Sequence, residues 1–187
     1  MISVQVNDKQ VLAVLAQLSE RAQNLRPAFA EIGEDMVEST KRRFATATAP
    51  DGTPWAPNSP VTVARYLGIF KNTHNSDGSL RKGGGDVIKS ALKKDGTLSK
   101  SGQARSAAKK PLTGETRALQ TTINYQLQGA HGVSIGSPMV YAAMQQFGGT
   151  KSQFPQLWGD IPARPFLGVS ATDKTNILDI LGSYLVK

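Results

Sequence analysis

The chain has 187 residues, 39% of them apolar, with no cysteine and a formal net charge of +8. Without cysteine, disulfides, thiolate metal sites and cysteine nucleophiles are excluded, and two histidines leave little room for an imidazole-bound metal. No run approaches the ~18 apolar residues of a membrane span, and Met1–Asp8 lacks the basic and apolar regions of a signal peptide, so the expected place of synthesis is the cytoplasm, with no membrane partner.

Ile2, Val4 and Val6 alternate with polar residues and predict a short strand. Asn7 or Asp8 is placed to cap a helix whose stripe is Val11, Leu12, Leu15, Leu18 and Ala22. Pro27 suits the first turn of a second helix, which carries Phe29, Ile32, Met36, Val37, Thr40 and Phe44 on one face and runs to about Ala45. Pro50, Pro54, Pro57 and Pro60, with Gly52, predict a loop of fixed shape, turned at Pro50-Asp51-Gly52 and anchored by Trp55 in its own subunit. A short helix is expected over Thr62–Phe70.

Residues 71–110 concentrate the charge. Ten basic residues there (Lys71, Arg81, Lys82, Lys89, Lys93, Lys94, Lys100, Arg105, Lys109, Lys110) face three aspartates, a balance of +7 that leaves the rest of the chain nearly neutral. Its Gly, Ser, Lys and Asn content reads as a basic insertion without a core of its own. Within it, Asp86 is placed to cap a short helix carrying Val87, Ile88, Ala91 and Leu92 and ending at Lys93, Lys94 and Gly96. Beyond Pro111, Leu119–Leu127 with Ile123, Tyr125 and Leu127 in alternation, a turn flanked by Gly129 and Gly132, and then Val133 and Ile135 predict a β-hairpin. Pro138 opens a helix through Tyr141, Met144 and Phe147 to Gly148-Gly149. Residues 161–169 read as an extended, proline-braced arm. Ser170 or Asp173 starts a last helix with the stripe Ile177, Ile180, Leu181, Tyr184 and Leu185. The class expected is α+β: a small antiparallel sheet packed with two or three amphipathic helices, as one domain over 1–187 with the basic insertion at 71–110.

No chemistry assembles from these residues. His74, Ser76 and Asp77 are neighbours in one loop, whereas a catalytic triad converges from separate places. His131 falls in the hairpin turn. Glu31, Glu34, Asp35 and Glu38 read as a solvated face with Glu38 and Arg42 paired at i, i+4, although four carboxylates also have the composition of a Mg²⁺ site or of an acidic strip for the basic insertion of another copy. Gly83-Gly84-Gly85 lacks the remainder of a phosphate-binding loop. Arg81, Lys82, Lys89, Lys93, Lys94, Lys100, Arg105, Lys109 and Lys110 are the candidate contacts of the insertion, to phosphates or to protein; with few aromatics among them, base stacking is not expected. No enzyme activity and no cofactor are expected.

Several motifs occur together in order: Arg43-Phe44; Pro50-Asp51-Gly52-Thr53-Pro54-Trp55; Leu112, Gly114, Leu119 and Ile123; Tyr141-Ala142-Ala143-Met144-Gln145-Gln146-Phe147-Gly148; and Ile161-Pro162-Ala163-Arg164-Pro165-Phe166-Leu167-Gly168. With the closing amphipathic helix, this order resembles the phage virion morphogenesis family, the tail completion proteins of Mu-like phages among them, outside residues 71–110. The chain departs from that pattern at Gln145, where such proteins often have His, and at Thr116-Arg117-Ala118-Leu119, where they often have Thr-Gly-x-Leu. The resemblance implies a ring-forming, tail-terminator-like fold and a structural protein of the virion neck. It would be assembled in the host cytoplasm and finish the tail so that it joins the filled head. The partners it implies are other copies of the chain in a ring, commonly a hexamer, the tail tube protein, head–tail connector or stopper proteins, and phage DNA. A head-side adaptor ring below the portal is the alternative within that class, and a nucleic-acid-binding module using 71–110 the alternative outside it. Candidate interface residues are Trp55, Tyr141, Phe147, Arg164 and Phe166. Arg164 is set to grip a carboxylate bidentately, and Phe166 to fill either a neighbour's pocket or its own core.

Overall fold

A computed structural model describes residues 8–67, 91, 93, 97–114, 116–157 and 159–186. The predicted N-terminal strand at Ile2–Val6 lies outside them, as do most of the Asp86 helix, His74, Gly83-Gly84-Gly85, and Arg81, Lys82, Lys89 and Lys94.

Among the described residues the chain order is α1 (Lys9–Gln23), α2 (Arg26–Thr46), α3 (Pro60–Tyr66), α4 (Lys100–Ala108), α5 (Ala118–Thr121), β1 (Asn124–Leu127), β2 (Val133–Gly136), α6 (Ala142–Phe147) and α7 (Ala171–Val186). α2 is the axis: the hairpin lies against one side of it and α7 against another. Pro27 stands in its first turn as expected, and Ala47 ends it in the left-handed conformation (φ 56°) with its N–H returned to the carbonyl of Arg43. Its buried stripe is Ala28, Ile32, Met36, Thr40 and Phe44 at helical spacing, joined by Gly33, Ser39 and Arg43.

β1 and β2 pair antiparallel with Tyr125 opposite Ile135 and Leu127 opposite Val133. These four half-buried residues alternate with exposed Asn124, Gln126 and Ser134, the period-two pattern of a hairpin covered on one face. Gly33 lets the two elements approach. A Cβ there would stand 2.5 Å from Cδ2 of Tyr125, so the ring lies where any other residue's side chain would be.

Three expectations are corrected. Asp8 sits at the N-cap of α1 but in helical conformation, and its side chain makes no capping bond. The segment expected to lack structure contains α4, where the Ser99 hydroxyl caps the N–H of Gly102 and the Ser99 N–H bonds to the carbonyl of Ala91. Local capping there outweighs a Gly/Ser/Lys composition that argued against a helix. The Glu38–Arg42 pair does not form either. The ion pair among the described residues joins the next arginine, Arg43, to Asp173.

Candidate functional site: the braced arm and the surface beside it

The sequence motifs converge on one end of α2. Phe44 meets Trp55 edge to face with ring centroids 5.3 Å apart, and Phe166 at 5.6 Å. Ala49, Leu119, Ile123 and Ala142 complete this core. The Pro50–Trp55 turn is held by the Ala49 N–H on the carbonyl of Thr53 (2.8 Å), the Trp55 N–H on Ala47 (2.8 Å) and the Thr53 N–H on the carboxylate of Asp51 (2.9 Å). That last bond holds the Asp51 carboxyl below its ordinary value.

The 161–169 arm is extended, and hydrogen bonds to α6 and to the segment after it hold its backbone at Ile161, Arg164, Phe166 and Leu167. Gly149 and Ile161 exchange both backbone bonds, at 2.9 and 2.8 Å. Gln146 on α6 reads the arm like a strand: its Oε1 accepts from the N–H groups of Phe166 (2.9 Å) and Leu167 (3.0 Å), and its Nε2 donates to the carbonyl of Leu167 (2.9 Å). Trp55 Nε1 donates to the carbonyl of Pro165 (2.8 Å). Gly148, at φ 72°, permits the turn from α6 into this pairing; a Cβ there would lie 2.7 Å from Ala163 N and Ile161 O.

Arg164 and Phe166 are therefore used within the chain. Arg164 is 8% exposed and donates from Nε to Ala56 O (2.8 Å) and from Nη2 to Pro57 O (2.7 Å). Its bidentate grip closes on two backbone carbonyls in place of the expected carboxylate, and burial lowers its pKa. Phe166 is fully buried in its own core, and Trp55 is the own-subunit loop anchor expected of it. As interface candidates these three are corrected, because their side chains face inward. Tyr141 and Phe147 face outward, with Phe147 78% exposed and Val140, before α6, 97% exposed.

The polar centre that sequence reasoning missed lies one helical turn back. Asp173 accepts from the Ser39 hydroxyl, from Arg43 Nη2 and from the N–H of Ser170 (2.8 Å), while the Asp173 N–H donates to the Ser170 hydroxyl (3.1 Å). Ser170 and Asp173 thus form a reciprocal capping box at the start of α7, and the same carboxylate neutralises Arg43. Burial opposes the charge on Asp173, but the bonds from Ser39 and Ser170 and the nearby Arg43 together hold its pKa below the ordinary value. Burial lowers the Arg43 pKa, against the attraction of Asp173; Arg43 remains protonated at physiological pH. Its Nη1 donates to the carbonyl of Phe166 (2.9 Å), so one guanidinium ties α2, α7 and the arm together. In the sequence, Ser170 and Asp173 read only as alternative helix starts, and Arg43 only as part of a motif. What the sequence lacked was the link between them across 130 positions.

The basic candidates divide. Lys109 donates to the carbonyl of Thr113 and stands 5.0 Å over the ring of Tyr66. Lys110 donates to the carbonyl of Ala45 in the last turn of α2, where a cation meets the negative end of the helix. Both serve the chain's own fold. Lys93, Lys100 and Arg105 are exposed. A cleft of about 600 Å³ lies between Asn58, Tyr66, Lys109, Tyr141, Gln145 and Arg164. A second, of about 410 Å³, lies among Glu31, Glu34, Asp35 and Asp179. Neither brings together a nucleophile, a base and an orienting group. His131 stands exposed with Nε2 3.3 Å from the carbonyl of Ala22, and among the described residues no group of acidic or imidazole side chains is set to hold a metal ion.

Buried polar groups thus brace the chain's own backbone, and Val140, Tyr141 and Phe147 turn outward beside that brace. The profile of the phage virion morphogenesis family matches residues 6–82 and 90–186, and the chain belongs to that family. Residues 83–89, within the 71–110 segment, fall between the two matched ranges. The chain is also similar to a putative capsid assembly protein G of Escherichia phage Mu, at 45% identity over 47 residues, an alignment covering 25% of this chain and 30% of that relative. No solved structure matches it. Membership assigns the chain a role in phage structure or assembly, in a family that is not enzymatic.

Proposed function

We propose that the chain is a structural protein of the tailed-phage neck, which completes the tail tube and joins the tail to the DNA-filled head as a homo-oligomeric ring. The observation that carries the reading is the outward-facing surface at Val140, Tyr141 and Phe147, beside the hydrogen bonds of Gln146 to the arm. Exposed apolar side chains of this size favour a protein partner. Its partners on this reading are other copies of itself, the tail tube protein and the head–tail connector or stopper proteins. Exposed Lys93, Lys100 and Arg105 provide positive charge for passing DNA.

The test is a phage lacking this chain, or carrying Phe147→Glu, viewed by electron microscopy. Filled heads and tails that fail to join are expected. Normal yields of joined particles would refute the reading. Counting copies in purified necks separates a sixfold tail-side ring from a twelvefold head-side adaptor. A chain that ignores tail tubes and binds DNA with a steep salt dependence would instead be a nucleic-acid module.

A further inference from the structure

We propose that the cleft bounded by α3, α6 and the 161–169 arm binds a carboxylate, taken by the Nη1 nitrogen of Arg164. The site stands apart from the neck reading, because it follows from a charge inside the molecule and not from the exposed surface.

Among the described residues the chain buries two arginines and one carboxylate. Asp173 is already paired with Arg43, so Arg164, 8% exposed, carries a buried positive charge with no counter-charge. A buried cation in that state is costly, and buried charges are ordinarily paired. The carbonyls of Ala56 and Pro57 accept from its Nε and Nη2, which fixes the direction of the guanidinium but brings no full charge. Nη1 makes no bond within the chain. It is not sealed in either: among the described residues, Thr40 Oγ1 is the side-chain polar atom that is both shut off from solvent and unbonded. The opening that Arg164 lines is the cleft of about 600 Å³. Burial alone lowers the Arg164 pKa, whereas at Arg43 the attraction of Asp173 opposes that effect.

The lining of the cleft selects a monoanion with an apolar stem. Two cations, Lys109 and Arg164, and one carboxylate, Asp160, line it, a balance of +1. A carboxylate cancels that charge, while a phosphate group, at about −1.5 to −2, overshoots it. The Tyr141 hydroxyl and the Gln145 amide also line the cleft and have no bond within the chain, so they add donors for the second carboxylate oxygen. Leu112, Ile161 and Pro162 supply apolar wall, which suits methylenes and disfavours a fully hydrated ion. The volume falls within the ~300–1,000 Å³ of sites for small ligands. The free nitrogen belongs to a guanidinium already held from two sides, so binding costs little further ordering. A free small acid and an acidic side chain of a peptide both present this chemistry.

The purified full chain is titrated at neutral pH and matched ionic strength with N-acetylglutamate N-methylamide, its glutamine counterpart, sodium acetate, sodium phosphate and sodium chloride. Binding is followed by NMR of the arginine and glutamine side-chain signals and by thermal melting. The blocked glutamate should saturate with a Kd of about 1 mM, move the Arg164 and Gln145 signals and raise the melting temperature. The blocked glutamine should bind at least about tenfold more weakly. Acetate that binds as tightly as the blocked glutamate assigns the site to a free small acid; acetate that binds more weakly assigns it to an acidic side chain whose stem fills the cleft. Arg164→Met should abolish binding, but it also cuts the bonds to Ala56 and Pro57, so Gln145→Glu is the deciding variant. Gln145 is joined to Arg164 through its backbone carbonyl (2.8 Å), and the substitution puts a carboxylate on the cleft wall beside it. It should weaken glutamate binding by about tenfold or more without lowering the melting temperature. No saturation below ~20 mM, glutamine, phosphate or chloride binding as tightly as the glutamate, shifts confined to residues outside the cleft, or a Gln145→Glu variant that binds like the intact chain would each overturn the proposal.

Discussion

Replacing Asp173 by asparagine keeps the volume of the side chain and removes its charge, which leaves the buried Arg43 guanidinium facing an amide. Both partners are enclosed, at 7% and 2% side-chain exposure, so solvent does little to screen the loss. Removing one member of a buried pair costs about 3–5 kcal/mol. The lower end applies here, because the amide oxygen can still accept from Ser170 and Arg43 keeps its bond to Phe166, so about 3 kcal/mol is expected. With a urea m-value of about 2 kcal/mol/M for a chain of this size, the unfolding midpoint should fall by roughly 1.5 M at pH 7. A cycle with Arg43→Met should show coupling of at least ~2 kcal/mol, since the double variant no longer buries a lone cation. The pH dependence fixes the sign. The carboxyl titrates below its ordinary 3.8 in the folded chain, so unfolding takes up a proton. Its contribution is complete above that value and fades as pH falls through the folded pKa. The gap between wild type and Asp173→Asn should therefore close on acidification below about pH 4. A loss under ~1 kcal/mol, additive variants, or a gap independent of acid would refute the account of this centre.

Gln146→Ala removes the side chain that satisfies two N–H groups and one carbonyl of the arm, and should cost about 2 kcal/mol by urea unfolding; Gln146→Glu, which retains the acceptor and loses the donor, should cost less. Gly33→Ala drives a methyl into the ring of Tyr125 and should destabilise by about 1–3 kcal/mol, with part of that recovered by Tyr125→Leu if the ring is the obstacle. Arg117 holds φ 52°, a left-handed conformation, at the position where the family pattern often has glycine. Arg117→Gly should therefore raise stability by up to about 1 kcal/mol in thermal melts, and a loss would show that its side chain has another role. Thr40 is buried with an Oγ1 that has no hydrogen-bond partner, so Thr40→Val should be neutral or stabilising by about 1 kcal/mol, and a clear loss would reveal a bonded partner.

Elements whose cause is local were legible in the sequence. The alternation of Tyr125 with Leu127 and of Val133 with Ile135 places the hairpin, although its first strand starts at Asn124 and Leu119 belongs to the short helix α5; Pro27 places the start of α2. What depends on distant partners was not legible. Arg164 reads as a cation in search of a carboxylate until Ala56 and Pro57 turn their carbonyls to it. Phe166 could fill a neighbour's pocket or its own core with equal plausibility, and only the position of Phe44 decides. α4 was hidden for another reason: its Ser-Gly composition argues for a loop, and a single capping hydroxyl on Ser99 outweighs it.

The motifs that carry the family resemblance are mostly turned inward. Trp55 bonds the arm, Gln146 pairs with it, Gly148 permits its approach, Arg164 ties it to the proline loop, and Phe166 fills the core. They define a brace, and a brace does not choose partners. On the neck reading proposed above, partner choice rests on what the brace exposes, chiefly Val140 and Phe147. Substitutions in the brace should thus act through stability, lowering the amount of folded protein while leaving the affinity of the surviving fraction unchanged. On that reading, substitution at Phe147 should leave melting unchanged and alter assembly alone. Measuring both quantities for Gln146→Ala and Phe147→Glu separates the roles: a Gln146→Ala chain that is fully stable yet cannot assemble would mean that the brace itself is the contact.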